Sequence, residues 1–223
     1  MSAPFEPHVE ILPAAQKDIW PQLAPARELG FVLYGGTAVA LHLGHRTSAD
    51  FDFFKAEPLD KAKISSAFRF MQQARALQED VNSLVVNAIA PTGDVKVSFF
   101  GGLAFGRLND PLPTKEGGVL VASLEDLLAT KLKAILDRAE AKDYRDIAAM
   151  ILAGVSLERA LGGFAKMFKS DAALPLKALG FFKDGDLPSL SQGDRDVLCR
   201  ARDGVSKFGQ VDLRAGLLPK SDV

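Results

Sequence analysis

Two aspartates, Asp50 and Asp52, alternate with phenylalanines in the stretch DFDFF. Alternate side chains of a strand point to the same side, so both carboxylates are expected on one face and the phenylalanines on the other. A carboxylate buried without a partner is costly, and it normally neutralises, pairs or binds a metal. Two carboxylates on one face suit Mg²⁺, which takes one or two protein carboxylates plus water and phosphate oxygens. The alternative is that they pair with Arg46, a lysine or backbone donors at a sheet edge.

Two glycines, Gly35 and Gly36, stand upstream between the apolar run FVLY and the segment TAVALHLG. This pattern predicts a buried strand, a tight turn and a short helix with Thr37 as N-cap and Gly44 as C-terminal stop. Backbone N–H groups converge at such a turn, and the helix N-terminus adds partial positive charge, so phosphate is a natural ligand. A simple turn is the alternative for a glycine pair alone. Together with the carboxylates, the turn predicts a site for Mg²⁺ and a nucleoside triphosphate.

The order of predicted elements indicates an α+β fold. Apolar runs predict strands at FVLY, DFDFF, SLVVNAIA and VKVSFFG. The turn PTGD between the last two predicts a hairpin. From Lys61 to Gln78 the apolar residues have helical spacing, which predicts a helix. A capping box at Ser123 and Asp126 opens a helical region. We therefore predict a mixed β-sheet flanked by helices over residues 1–121 and a C-terminal helical bundle over residues 122–223.

Composition narrows the class of protein. The chain has 223 residues, a formal net charge of -1 and one cysteine, Cys199. A single cysteine excludes an intramolecular disulfide and a thiolate-rich zinc site. No apolar run approaches the ~20 residues that span a bilayer, and the N-terminus lacks the pattern of a secretory signal. We expect a cytoplasmic protein without a membrane partner.

The stretch GGTAVALHLGHRTSADFDFF resembles the first motif of the nucleotidyltransferase superfamily, a glycine turn, a short helix and an acidic D-x-D strand. Its GGT, HR-x-S and DFDFF elements are similar to those of the AbiEii/AbiGii-type toxins of abortive-infection toxin-antitoxin systems. The later stretch EDLLATKLKAILDRAEAKDYRDI is similar to that family's downstream motifs. The resemblance covers roughly residues 30 to 149, and it implies that the mixed sheet is nucleotidyltransferase-like.

The resemblance implies roles for residues of the first motif. Asp50 and Asp52 would hold the catalytic Mg²⁺, and Arg46 and Ser48 would buttress that site or touch phosphate. The implied nucleotide-binding set is Gly35, Gly36, Thr37, Arg46, Ser48 and Lys131.

Three downstream residues are implied to be catalytic. Lys131 would neutralise the triphosphate as a point cation, and Asp143 would act close to the nucleotide or the acceptor. Asp146 competes with Asp143 for that role, and spacing alone leaves the choice open. Without the first motif, all three would read as ordinary surface charges of solvated helices.

Two features of the motif region depart from a simple metal site. Many superfamily members carry a third acidic residue on a neighbouring strand, where VKVSFF offers Ser98, a poor base near pH 7. Either one metal is held, Asp143 supplies the missing negative charge, or the site is impaired.

His42 and His45 could ligate a metal, but no third ligand has suitable spacing, so structural roles are predicted for them.

The activity implied is Mg²⁺-dependent transfer of a nucleotidyl group to an acceptor hydroxyl. The resemblance implies an RNA acceptor, such as the 3′ end of tRNA, a toxin's effect on growth and a cognate antitoxin protein as partner. Two alternatives stay open at this point. The first is a nucleotidyltransferase acting on a small, antibiotic-type molecule, and the second is an impaired module that binds nucleotide or a partner.

Overall fold

The computed structural model describes residues 4–115 and 118–218. The chain forms two compact units, of which the first takes in residues up to 106, residues 110–122 and the chain from 215 onward. The second consists of Arg107–Asn109 and Ser123–Arg214. The predicted boundary between 1–121 and 122–223 stays a prediction about domains, because compactness does not show that either part folds alone. Residues 1–3, 116–117 and 219–223 of those ranges lie outside the described residues.

The first unit contains the strands of the described residues, together with short helices. Its strands are β1 (Val32–Tyr34), β2 (Asp50–Phe54), β3 (Arg75–Asp80), β4 (Ser83–Ala90), β5 (Gly93–Phe100), β6 (Leu112–Pro113) and β7 (Leu120–Val121). Its helices are α1 (Ala14–Ile19), α2 (Pro25–Glu28), α3 (Gly35–Leu43) and α4 (Lys61–Ala67).

The strands form one mixed sheet, which in the described part of the chain has seven strands in the order β3-β4-β5-β2-β1-β7-β6. The pairs β1–β7 and β2–β5 are parallel, and the other neighbours are antiparallel. The predicted hairpin is confirmed, since β4 and β5 pair from Ser83↔Phe100 to Ala90↔Gly93. Strand β2 therefore lies between β5 and β1, in the interior of the sheet.

Aromatic side chains fill the covered face of the sheet. Phe99 of β5 stacks on Phe53 of β2 at a centroid distance of 5.6 Å and tilts against Phe31 at 5.2 Å. Trp20 stacks on Phe51 at 6.1 Å. Because these rings are buried on one side of β2, the intervening residues of that strand must face the other side.

The second unit is helical. It contains α5 (Leu124–Asp137), α6 (Ala141–Leu152), α7 (Leu157–Phe168), α8 (Ala173–Ala178) and α9 (Gln192–Gly204). The predicted N-cap is confirmed, since Ser123 Oγ accepts a hydrogen bond from Asp126 N at 3.1 Å. The Asp126 carboxylate accepts from the Ser123 hydroxyl at 2.5 Å and from the backbone N–H groups of Leu108 and Asn109, in place of the Ser123 N–H of a capping box. Helix α5 packs against α6, α7 and α8. The α+β fold predicted from the sequence is thus confirmed.

One predicted element is wrong in its second half. The helix expected over Lys61 to Gln78 ends at Ala67, a 3₁₀ turn follows at Arg69–Gln72, and the chain then forms strand β3. The edge of β4 offers unpaired backbone groups, and β3 satisfies them from Arg75↔Asn87 to Asp80↔Ser83. Tertiary pairing therefore outweighs local helical spacing.

Within the described ranges, no helix has the length and apolar character needed to cross a membrane.

Candidate active site

Strand β2 presents its two carboxylates on the face opposite the aromatic core. Phe51 and Phe53 are fully buried, whereas Asp50 and Asp52 are partly exposed. The Asp50 side chain keeps 38% of its exposure. The alternation predicted from DFDFF is confirmed, and it leaves both acids accessible to a ligand.

The glycine turn lies directly against Asp52. Gly35 opens helix α3 with φ +75°, a backbone conformation that side-chain-bearing residues rarely adopt. A Cβ at this position would lie 2.5 Å from Asp52 Oδ2. Tyr34, the residue before it, pairs with Asp52 across β1 and β2. The fold therefore brings the predicted turn and the predicted carboxylate strand into contact.

The second glycine faces a cation and a hydroxyl. A Cβ at Gly36 would lie 2.6 Å from Arg46 Nη2 and 2.9 Å from Ser48 Oγ. In the described structure no side chain caps the N-terminus of α3, where the first backbone N–H groups of a helix have no intrahelical acceptor. The backbone N–H groups, the guanidinium and the hydroxyl thus lie together near the glycine turn, a set of donors whose chemistry suits an anion.

Thr37 is placed differently from its prediction as N-cap. Helix α3 begins at Gly35 and its N-cap is Tyr34. The Thr37 hydroxyl, nearly fully buried, donates a hydrogen bond to the carbonyl of Asp50. It therefore ties the first turn of α3 to strand β2. The predicted stop at Gly44 is confirmed, with φ +61° at the C-cap.

Strand β5 supplies the neighbours of both acids. Asp52 lies opposite Ser98, which is 2% exposed, and Asp50 lies opposite Lys96. Lys96 Nζ is 2.8 Å from Asp50 Oδ2. Asp50 therefore has a lysine partner, which was one of the alternatives to metal binding. Lys96 is not among the site residues predicted from the sequence. Its signal was the alternation of VKVSFF, which places Lys96 and Ser98 on one face once the parallel register is known.

The donor set of this site is suited to Mg²⁺. Asp50 and Asp52 provide hard oxygen ligands from one strand face, and Mg²⁺ commonly takes one or two carboxylates and completes its shell with substrate phosphate and water. The described residues hold no group of three or more His, Cys, Asp and Glu arranged for a metal. His42 instead donates to the carbonyl of Ala122 at 2.9 Å and stacks on Phe5, and burial lowers its pKa.

In the second unit, Lys131, Asp143 and Asp146 form a buried cluster. Lys131 Nζ is 2.6 Å from Asp143 Oδ1 and 2.6 Å from Asp146 Oδ2. The Lys131 side chain is 7% exposed and both carboxylates are fully buried. Asp143 and Asp146 are three residues apart on α6 and so share one face of that helix. These residues are not the solvated surface charges of the alternative interpretation.

Arg138 completes the contacts of Asp143. Its Nε donates to Asp143 Oδ2 at 2.8 Å, and the adjacent Lys142 pairs with Glu140. Burial by itself raises the pKa of Asp143, but hydrogen bonds and charge from Arg138 and Lys131 outweigh it and hold the pKa below its ordinary value. The Asp143 carboxylate is therefore ionised within a charge-compensated cluster.

Comparison with solved structures identifies the fold. The chain superimposes on MenT4, nucleotidyltransferase toxin Rv2826c from Mycobacterium tuberculosis H37Rv, with a TM-score of 0.55 at 14% identity, covering 89% of this chain and 82% of that one. An antigenic nucleotidyltransferase-like protein from Paracoccidioides brasiliensis gives 0.51 at 17% identity, covering 88% and 97%. At these identities the similarity shows the fold.

Sequence comparison identifies the family. The uncharacterized protein aq_aa25 of Aquifex aeolicus (strain VF5) is 29% identical over 158 residues, 69% of this chain and 74% of that protein. The model of the family described as nucleotidyl transferase AbiEii toxin, type IV TA system, matches residues 23–203. That range contains the glycine turn, the acidic strand and the buried cluster. The chain therefore belongs to the AbiEii family of nucleotidyltransferase toxins.

Proposed function

We propose that this protein transfers a nucleotidyl group from a nucleoside triphosphate to an acceptor hydroxyl. The acceptor oxygen forms a bond to the α-phosphorus, and the bond between the α-phosphorus and the oxygen that bridges it to the β-phosphorus breaks. Pyrophosphate leaves, and the hydroxyl proton is lost to water. The observation that carries the proposal is the contact between Gly35 and Asp52. It joins a backbone turn suited to phosphate to a carboxylate suited to a metal.

The chain's own residues divide the work at this site. The N-terminus of α3 at Gly35 and Gly36 would bind phosphate through backbone N–H groups, with Arg46 and Ser48 beside it. Thr37 would position the strand through its bond to Asp50, and only its backbone N–H would be left for phosphate. Asp50 and Asp52 would hold Mg²⁺, which when bound offsets charge on the phosphoryl oxygens and on the leaving pyrophosphate.

For the second unit we propose a role that combines positioning with charge. Lys131 is held between Asp143 and Asp146, so it would have to exchange one carboxylate for a phosphate oxygen to neutralise a triphosphate. Arg138 also donates to Asp143, so this exchange would rearrange a cluster of charged groups that contains both acids.

The acceptor we propose is RNA, with the 3′ end of tRNA as the first to test, and the partner is a cognate antitoxin. Membership of a toxin family of type IV systems supports the antitoxin partner, and the RNA acceptor is carried over from the resemblance described in the sequence. Lys96 and Ser98 beside the acids favour a second candidate, a nucleotide-binding module with impaired turnover, since neither residue is a third metal-binding carboxylate.

The deciding experiment incubates the protein with total RNA, Mg²⁺ and each labelled nucleoside triphosphate in turn. We expect one labelled RNA band with at least one nucleotide, and loss of that band in Asp52→Asn. The matched control is Asp80→Asn, which changes one exposed carboxylate on β3, an edge strand of the sheet. Its labelling should equal that of the wild type.

Other outcomes would each point elsewhere. Label appearing on added aminoglycosides and not on RNA would favour a small-molecule acceptor. Triphosphate binding by calorimetry, with no label on any acceptor, would favour the impaired module. Equal labelling by Asp52→Asn and the wild type would remove the metal assignment.

A further inference from the structure

Lys96 lies where a cation would approach Asp50. Its ammonium is 2.8 Å from Asp50 Oδ2, and the two side chains are 43% and 38% exposed. The contact is held by register, since Lys96 and Asp50 are direct partners across the parallel strands β5 and β2. The ion pair thus occupies one of the two carboxylates that the proposed function assigns to Mg²⁺.

This arrangement changes the charge of the site. Asp50 and Asp52 contribute -2, and Lys96 offsets one of these charges at Asp50, while the guanidinium of Arg46 lies against Gly36 at the glycine turn. The next residue on that face of β5 is Ser98, which is buried and neutral. Strand β5 therefore presents a positive charge and a hydroxyl to the acids of β2, and a divalent ion arriving alone competes with an ammonium for Asp50.

We infer that Lys96 is an exchangeable counter-ion that makes metal binding depend on the triphosphate. The inference rests on the proposed function. Without nucleotide, the ammonium neutralises Asp50 and weakens the site for a divalent ion. When a metal–triphosphate complex binds, its phosphate oxygens accept the ammonium as the metal takes the carboxylate. Lysine suits this exchange because its charge is a point on a flexible stem.

An ordinary surface ion pair predicts something different. Exposed pairs contribute little to stability, about 0 to 1 kcal/mol, and such a pair would have no selective effect on a bound metal. An exchangeable counter-ion, in contrast, has opposite effects on two ligands. It weakens binding of the metal alone and strengthens binding of the metal–triphosphate complex.

The test uses Mn²⁺ as the probe, followed by the paramagnetic resonance signal of the free ion. We compare the wild type with Lys96→Met and with Lys61→Met as matched control. Lys61 of α4 also forms a partly exposed ion pair with a carboxylate of this sheet, 3.0 Å from Glu79 Oε1 of β3. Both variants remove one positive charge, so the control measures the general electrostatic effect.

For Mn²⁺ alone, Lys96→Met is expected to bind about 3- to 10-fold more tightly than the wild type, the size of a nearby unit charge in a solvated site. For Mn²⁺ with a non-hydrolysable triphosphate, followed by calorimetry, the same variant should bind the complex more weakly. Lys61→Met should stay close to the wild type in both measurements. Lys96→Gln is the second variant if Lys96→Met shows an altered circular dichroism spectrum.

Each remaining outcome overturns the inference in a distinguishable way. If Lys96→Met and Lys61→Met behave alike for both ligands while Asp52→Asn still abolishes Mn²⁺ binding, Lys96 is a surface partner and the proposed function stands. If neither the wild type nor the Lys96 variants bind Mn²⁺, the inference and the metal assignment fall together.

Discussion

Gly35, at the start of helix α3, lies in contact with Asp52 of strand β2. The contact is so close that a Cβ on Gly35 would lie 2.5 Å from Asp52 Oδ2. The glycine also has φ +75°. Two independent constraints therefore require glycine at this position, the backbone conformation and the space that the carboxylate occupies.

Gly35→Ala separates these two constraints when it is compared with Gly154→Ala. Gly154 has φ +87°, and no atom of the described residues lies within 4 Å of the position that a Cβ would take, so its variant reports backbone strain alone. We expect Gly154→Ala to cost about 1 to 2 kcal/mol of unfolding free energy and to keep nucleotide transfer. Gly35→Ala should cost at least as much and lose transfer, because Asp52 must move. Full transfer by Gly35→Ala would contradict this account of the site.

Lys131 is expected to contribute strongly to stability. Lys131→Met leaves the buried Asp143 and Asp146 without that ammonium, and breaking a buried pair costs about 3 to 5 kcal/mol. Lys133→Met, on the same helix, removes an exposed pair with Asp137 and should cost less than about 1 kcal/mol. Urea unfolding of both variants checks this difference. Equal losses of unfolding free energy in the two variants would contradict the buried environment of Lys131.

The ionisation of Asp143 should make stability depend on pH. Its pKa in the folded protein is lowered below the ordinary value of 3.8, so the unfolded chain takes up the proton first as the solution is acidified. The stabilising contribution is present above the unfolded pKa and is lost as pH falls through the lower, folded pKa.

The measurement is the difference in unfolding free energy between the wild type and Asp143→Asn, followed from about pH 6 downward. We expect a constant difference at the upper end and a shrinking one below about pH 4. Asp137→Asn removes an exposed carboxylate and serves as the control. A difference for Asp143→Asn that grows on acidification would reverse the sign of the predicted pKa shift.

Gln16 offers a route to a more stable protein. It lies on α1, is 1% exposed, and neither of its amide atoms has a hydrogen-bond partner among the residues that the structure describes. A buried polar group without a partner costs about 1 to 3 kcal/mol. Gln16→Met keeps the size and removes the amide, so it should raise the urea midpoint. Gln22→Met is the contrast, because the Gln22 amide donates to the carbonyl of Asp18 and its loss should give no gain.

Much of the fold and of the first motif could be predicted from local pattern. The alternation of DFDFF is enough to place the acids opposite the phenylalanines, because strand geometry has a period of two. The same holds for the hairpin of β4 and β5 and for the Ser123 cap. Strand β3 could not be predicted in this way, since its state depends on the partner edge of β4.

The sequence by itself determined the chemical groups, the two faces of β2 and the glycine turn. Only the tertiary structure decided which groups meet. The parallel register of β2 and β5 brings Lys96 to Asp50, and the packing of α5 on α6 buries Lys131 with Asp143. Local patterns follow from backbone geometry, whereas register and helix packing follow from contacts between segments distant in the chain, whose pairing no short stretch encodes.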